Sequence, residues 1–304
     1  MKTETDGLVI VDKPAGITSH DVVSRARRIF GTRRIGHAGT LDPMATGVLV
    51  LGVNRGTRFL HYLTGADKTY EATIRLGATT TTEDADGEIV ARAGATNITV
   101  ADLEAGIAAL TGQVMQVPSA VSAIKVGGKR SYERVRAGED VKLSPRPVMI
   151  VSFNLLSQRA DQLADGTAVI DVEVAVTCSS GTYVRALARD LGQYLRTGGH
   201  LTRLRRTRVG QYRIDQALSL QDLQTQPALL ALAQAAQQLF PARNLSSAEA
   251  ADLGYGKWIA HRSEDPTGTE ELPVAGYSPS GVLIALLITV GEKYRPVVVF
   301  APAS

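Results

Sequence analysis

Cysteine occurs once in the 304 residues, at Cys178. A single thiol excludes an internal disulfide and a multi-cysteine zinc site. It leaves Cys178 to be read as a small buried hydrophobe. No window offers about 18 uninterrupted apolar residues, so no membrane-spanning helix is expected. The first residues, Met1 to Asp6, are polar and carry acids, which does not fit a signal peptide. Metal-ligand clusters and the glycine patterns of phosphate loops are missing as well. There is no internal repeat and no low-complexity tract. Hydrophobic residues at 44% and charged residues at 21% make an ordinary globular balance that supports a real core. The lack of disulfides fits a reducing cytoplasm.

Charge is plentiful, but unevenly divided. Residues 1–215 hold 28 Lys and Arg against 22 Asp and Glu, whereas residues 216–304 hold 5 against 8. The basic residues cluster in three groups. Arg25, Arg27, Arg28, Arg33 and Arg34 form the first, Lys125, Lys129, Arg130, Arg134 and Arg136 the second, and Arg196, Arg203, Arg205, Arg206 and Arg208 the third. Clustered cations suit a polyphosphate partner, because each contact releases counterions. A solvated charged face is the alternative for any one cluster. Arginine outnumbers lysine, which favours bidentate phosphate contact.

Leu8 to Val11 reads as a buried strand. Thr18 or Ser19 can cap a helix with Val22, Ala26, Ile29 and Phe30 on its apolar side, and Gly31 ends it. Gly36 to Gly47 is turn-like, and strands are expected at Val48 to Val53 and Tyr70 to Leu76. Asp86-Gly87 signals a hairpin before Glu88, Ile89 and Val90. A helix is expected at Thr99 to Leu110. The segment 118–147 is long, polar and basic, and a loop of that length is either functional or disordered. A strand at Val169 to Val176 precedes a turn at Ser179-Ser180-Gly181 and a helix with Ala186, Leu187 and Leu191 inward. Val209 to Ile214 reads as a strand and Gln226 to Phe240 as a helix. Leu283 to Val290 and Pro296 to Phe300 give a small β-rich tail. Strands outnumber helices without regular alternation, which predicts an α+β fold with mainly antiparallel pairing. Two domains are expected, residues 1–240 and 241–304.

The richest stretch is Gly36-His37-Ala38-Gly39-Thr40-Leu41-Asp42-Pro43-Met44-Ala45-Thr46-Gly47-Val48-Leu49. Its glycines allow a ligand close to the backbone, and Pro43 fixes the bend after Asp42. A carboxylate on a stiff turn is a candidate nucleophile or acid/base. On residue types alone, an Asx-type turn in which Asp42 only bonds backbone amides is the stronger reading. The stretch, however, resembles the aspartate signature of the TruB branch of pseudouridine synthases. Three further stretches resemble that family in the same order: Lys13-Pro14-Ala15-Gly16-Ile17-Thr18-Ser19, then Lys68-Thr69-Tyr70, then Gly181-Thr182-Tyr183-Val184-Arg185. The resemblance spans roughly residues 8 to 214.

That resemblance implies a mixed, mainly antiparallel catalytic sheet, with an RNA-gripping thumb at 118–147 and a small β-barrel of the PUA type at the C-terminus. It implies isomerisation of uridine 55 in the tRNA T loop, with no cofactor, no metal and no guide RNA. Asp42 would be the catalytic residue, Arg185 its partner, and Tyr70 the ring stacked on the base. Tyr183 would line the pocket, Leu204 would sit against the flipped base, and His37 would touch the RNA. Lys68, Lys125, Lys129, Arg130 and Arg206 would bind substrate. The chain is expected to act as a cytoplasmic monomer on the T arm of tRNA. The acidic tail is unlike a phosphate-binding module, which leaves a structural role for it. A non-catalytic tRNA-folding protein would use the same basic clusters, but would not require Asp42, Tyr70 and Arg185 together. A guide-RNA-dependent synthase would need docking extensions, and a carboxylate hydrolase would need a second acid.

Overall fold

The computed structural model describes residues 6–119 and 143–301, and the backbone of the short strand pairs at 125–126 and 129–130. The strands, in chain order, are β1 (Gly7–Lys13), β2 (Ile35–Ala38), β3 (Thr46–Val53), β4 (Lys68–Leu76), β5 (Ala78–Thr80), β6 (Ile89–Arg92) and β7 (Gly112–Gln116). They continue with β8 (Lys125–Val126), β9 (Lys129–Arg130), β10 (Arg146–Gln162), β11 (Ala168–Cys178), β12 (Gly199–Val209), β13 (Tyr212–Arg213) and β14 (Leu230–Ala231). Ten of them make one sheet in the order β14-β1-β3-β12-β4-β11-β10-β7, with β13 on β12 and β2 on β3. Pairing is antiparallel except where β12 runs parallel to β3, at Arg205 beside Thr46 and Arg206 beside Gly47. The fold is α+β with a mixed, mainly antiparallel sheet.

The two halves of this sheet are covered differently. Along β1 and β3, side chains alternate between two cores. Leu8, Ile10, Val48 and Val50 enter one, and Val9, Val11, Leu49 and Leu51 the other. Both faces are therefore apolar, and β3 reads as an unbroken hydrophobic run. The helix Ser19–Phe30 covers one face with Val22, Val23 and Ala26. Thr18 and Asp21 close a capping box at its start, and Gly31 ends it with φ 62°. Along β4, β11 and β12 only one face is apolar, with Ala72, Ile74, Val172, Val174 and Leu201 packed beneath Leu187 and Leu191. The other face is a polar ladder. Arg75 meets Asp171 at 2.7 Å, Arg203 meets Glu173 at 2.8 Å, and Arg205 meets Asp12 at 2.7 Å.

This ladder corrects two readings. The strand is Gly199–Val209, not Val209 to Ile214, and only Tyr212–Arg213 continues it as β13. The arginine run hides a strand because its arginines reach acids on the next strands but one, Glu173 on β11 and Asp12 on β1. Arg203 and Arg205 of the third basic cluster are accordingly occupied within the protein. Pro147 likewise does not end a loop. β10 starts at Arg146 and runs 17 residues, the far part of it solvent-exposed and held by pairing with β11, so its hydrophobic pattern fades. The expected helix from Gln226 is shortened to Leu232–Leu239, because Leu230 and Ala231 pair with β1 instead. The start of the turn-like segment, Gly36 to Ala38, belongs to β2 and pairs with β3. The hairpin at Asp86-Gly87 joins β5 and β6 through a longer connection, closed where Thr81 donates to Glu88 at 2.9 Å.

The C-terminal region adds β15 (Ala242–Asn244), β16 (Ile259–Ala260), β17 (Val274–Tyr277), β18 (Leu283–Val290) and β19 (Lys293–Val299), in the order β15-β17-β18-β19-β16. It shares a core with the large sheet. Phe300 packs against Phe59 in a tilted pair with ring centroids 5.1 Å apart, and Ala275, Tyr277 and Leu286 join the cluster of Leu8 and Val50.

Candidate active site

The loop joining β2 to β3 carries Asp42, and it is pinned from below. Ser19, first residue of its helix, accepts from Leu41 N at 2.9 Å and donates to Leu41 O at 3.1 Å. Lys13 is fully buried, and its ammonium donates to Ala45 O at 2.7 Å, Pro14 O at 2.9 Å and Pro43 O at 3.1 Å. Gly16 N adds a bond to Pro43 O at 2.9 Å. The Lys13-to-Ser19 stretch is thus the floor of the Asp42 bend. Burial lowers the Lys13 pKa to about 8, against the pull of Asp42. Gly47 closes the far side: a Cβ there would lie 2.1 Å from the Arg206 carbonyl, so the parallel pairing of β3 and β12 requires glycine.

Arg185 comes from the opposite side of the site. The chain turns at Gly181, φ 83°, and enters the helix Val184–Tyr194. Gln116 at the end of β7 fixes that entry, accepting from Tyr183 N at 2.8 Å and donating to Tyr183 O at 3.2 Å. The Arg185 side chain is 5% exposed, and its Nε lies 3.0 Å from Asp42 Oδ2. Its Nη1 donates to Thr82 O at 2.9 Å and lies 3.6 Å from Asp84 Oδ2. One guanidinium therefore spans two carboxylates. Asp84 is buried, and Thr82 donates to its Oδ1. Burial raises the Asp42 pKa above its ordinary value; Arg185 opposes this, and the Asp84 charge adds to it.

A cavity of about 330 Å³ opens over this pair, within the size range of small-molecule sites. Asp42, Arg185, Tyr70, Tyr183, Leu204, Lys68 and Arg206 all line it. Tyr70 and Leu204 form walls from β4 and β12, each nearly buried. Lys68 donates to Ala66 O at 2.7 Å and Thr64 O at 3.1 Å, and burial brings its pKa to about 8. Arg206 is 1% exposed and gives its donors to Val48 O at 2.7 Å and Gly39 O at 2.9 Å. It braces the Asp42 loop from behind, so its charge reaches the cavity without standing on the surface.

Not all expected residues meet here. His37 on β2 is partly buried and lies outside the cavity lining; burial lowers its pKa, and among the described residues its Nδ1 has no hydrogen-bond partner. The side chains of Lys125, Lys129 and Arg130 lie outside the described residues, as do Arg134 and Arg136; only the β8–β9 backbone pairing is described. Sequence reading missed Asp84 and Thr82, because the acidic run before Gly87 served only as a turn signal. It missed Gln116, which carries no local mark of its partner. Among the described residues, no three His, Cys, Asp or Glu side chains are grouped to hold a metal ion. No helix among them is long and apolar enough to cross a membrane.

Comparison with known proteins gives matches along most of the chain. Residues 27–184 match the family described as TruB family pseudouridylate synthase (N terminal domain). Residues 185–242 match the tRNA pseudouridylate synthase B C-terminal domain, and residues 240–301 match tRNA Pseudouridine synthase II, C terminal. The tRNA pseudouridine synthase B of Arthrobacter sp. (strain FB24) is 55% identical over 301 residues, covering 98% of this chain and 97% of its own. That of Thermobifida fusca (strain YX) is 53% identical over 296 residues, covering 97% and 99%. Among solved structures, an H/ACA RNP bound to a substrate RNA containing 2'-deoxyuridine superposes with a TM-score of 0.71 at 23% identity, covering 97% of this chain and 85% of that one. At that identity the likeness speaks for the fold.

Proposed function

This chain belongs to the TruB family of pseudouridylate synthases, and from that membership we propose that it isomerises uridine 55 in the T loop of tRNA, with Asp42 as the catalytic residue. It is an isomerase: the N1–C1′ glycosidic bond is broken, the uracil turns, and a C5–C1′ bond is made in its place, with C5 giving up its proton and N1 taking one. No electrons are gained or lost in that balance, so the reaction calls on the ionised carboxylate of Asp42 and on no redox group.

The observation that carries the assignment is the Asp42–Arg185 pair, 3.0 Å apart beneath a cavity walled by Tyr70 and Leu204. The guanidinium favours the charged carboxylate and fixes its direction. A base stacked in the T loop must be extruded to reach it, at a cost of a few kcal/mol. Stacking on Tyr70 offsets about 1–3 kcal/mol of this. Leu204, beside it on β12, supplies further apolar contact, and Tyr183 lines the pocket. Lys68 meets the substrate from the cavity lining, and the more distant cations serve the backbone of the tRNA. The same reading takes 1–240 as the catalytic domain and 241–304 as a PUA-like domain. It takes the enzyme as a cytoplasmic monomer that selects its uridine without a guide RNA.

The test is direct. Asp42→Asn is incubated with unmodified tRNA, pseudouridine is mapped by chemical adduct and primer extension, and binding is measured alongside. The variant should bind tRNA and form no pseudouridine; ordinary turnover would refute the assignment.

A further inference from the structure

Glu83 stands in the left-handed region of backbone space, with φ 62°, where a side chain other than glycine, asparagine or aspartate is strained. It ends the turn after β5. Its N–H donates to Thr80 O at 3.4 Å, and its carbonyl accepts from Leu201 N at 3.0 Å. Its two chain neighbours are the ones that meet Arg185: Thr82 through its carbonyl and Asp84 through its carboxylate. The twist at Glu83 therefore sets the angle at which a main-chain acceptor and a side-chain acceptor converge on one guanidinium.

Something must hold glutamate in that conformation. Arg189 follows Arg185 by one helical turn, the spacing that puts two side chains on one face. Its Nη1 meets Glu83 Oε1 at 2.7 Å, with the two side chains 19% and 18% exposed. Its Nη2 donates to Val117 O at 2.8 Å, just beyond β7, and meets Asp190 Oδ1 at 2.8 Å. Neither Arg189 nor Glu83 lines the cavity.

We infer that the Arg189–Glu83 ion pair is a positioning device for the isomerisation: it holds the strained turn that aims Arg185 at Asp42. The inference rests on the reading of Asp42 and Arg185 given above. Arg189 acts through the turn and touches no reacting atom.

Alanine and glycine at position 83 separate this role from ordinary stabilisation. Both remove the carboxylate, but only glycine is at ease at φ 62°. Glu83→Ala should slow single-turnover pseudouridine formation by about tenfold or more, whereas Glu83→Gly stays within about threefold of the unmodified enzyme. The tRNA dissociation constant should be unchanged in both. Arg189→Ala should be as slow as Glu83→Ala, and adding Glu83→Gly to it should recover the rate. Equal rates for the Ala and Gly variants would overturn the inference, as would a double variant no faster than Arg189→Ala, or an effect on affinity alone. Asp42→Ala is run in parallel. Turnover in that variant would overturn the assignment of Asp42 and this inference with it, whereas failure of the Ala–Gly contrast touches only the pair.

Discussion

Replacing Arg185 with lysine keeps one positive charge and removes the planar fork. Among the described residues the guanidinium meets three groups at once, Asp42 at 3.0 Å, Thr82 O at 2.9 Å and Asp84 at 3.6 Å. These contacts come from two different nitrogens. An ammonium is a single point and cannot occupy both positions. If it stays with Thr82 and Asp84, Asp42 loses its orienting partner; if it moves to Asp42, the anchors are left behind. At least one charge-assisted hydrogen bond goes, worth about 1.5–3 kcal/mol. Expressed in the transition state, that is roughly a 10- to 150-fold loss of rate. The pair lies beneath the cavity, so tRNA affinity should stay within about threefold, less than 1 kcal/mol. Single-turnover assays with tritiated tRNA measure the rate, and filter binding measures affinity. An Arg185→Lys variant within about twofold of the native rate would refute the reasoning, since charge alone would then suffice.

Three further outcomes follow from the same geometry. The acid limb of the single-turnover pH profile should lie above the ordinary carboxylate range, because burial raises Asp42 and only its ionised form is active; a limb at the usual aspartate value would contradict this. Asp84→Asn removes a negative charge that raises Asp42, so the limb should move to lower pH while the maximal rate falls with the loss of an anchor for Arg185. Lys13→Met leaves three carbonyls of the Asp42 loop without their donor and should destabilise the protein by about 2–4 kcal/mol in urea unfolding. The Lys13 pKa is lowered from 10.5 to about 8 by burial, so the unfolded chain holds this proton more tightly. Native stability should therefore gain as pH rises across that window, and the variant should lack the Lys13 share of the gain.

What the sequence by itself determined is local. Thr18, Asp21 and Gly31 mark both ends of a helix, because capping is satisfied within one turn of chain. Glycine and proline around Asp42 and Gly181 mark the two bends of the site, since backbone freedom and its loss are properties of single residues. The tertiary structure decided which charges face which. Arg203, Arg205 and Arg206 look alike in the chain, yet two complete a polar ladder on the sheet and the third is buried against the carbonyls of Gly39 and Val48. Nothing near Asp84 in sequence announces an arginine from the helix at Val184–Tyr194, and nothing near Gln116 announces Tyr183. An isolated side chain carries no record of its distant partner. Pairing across strands far apart in the chain supplies it, and with it the dielectric that shifts Asp42.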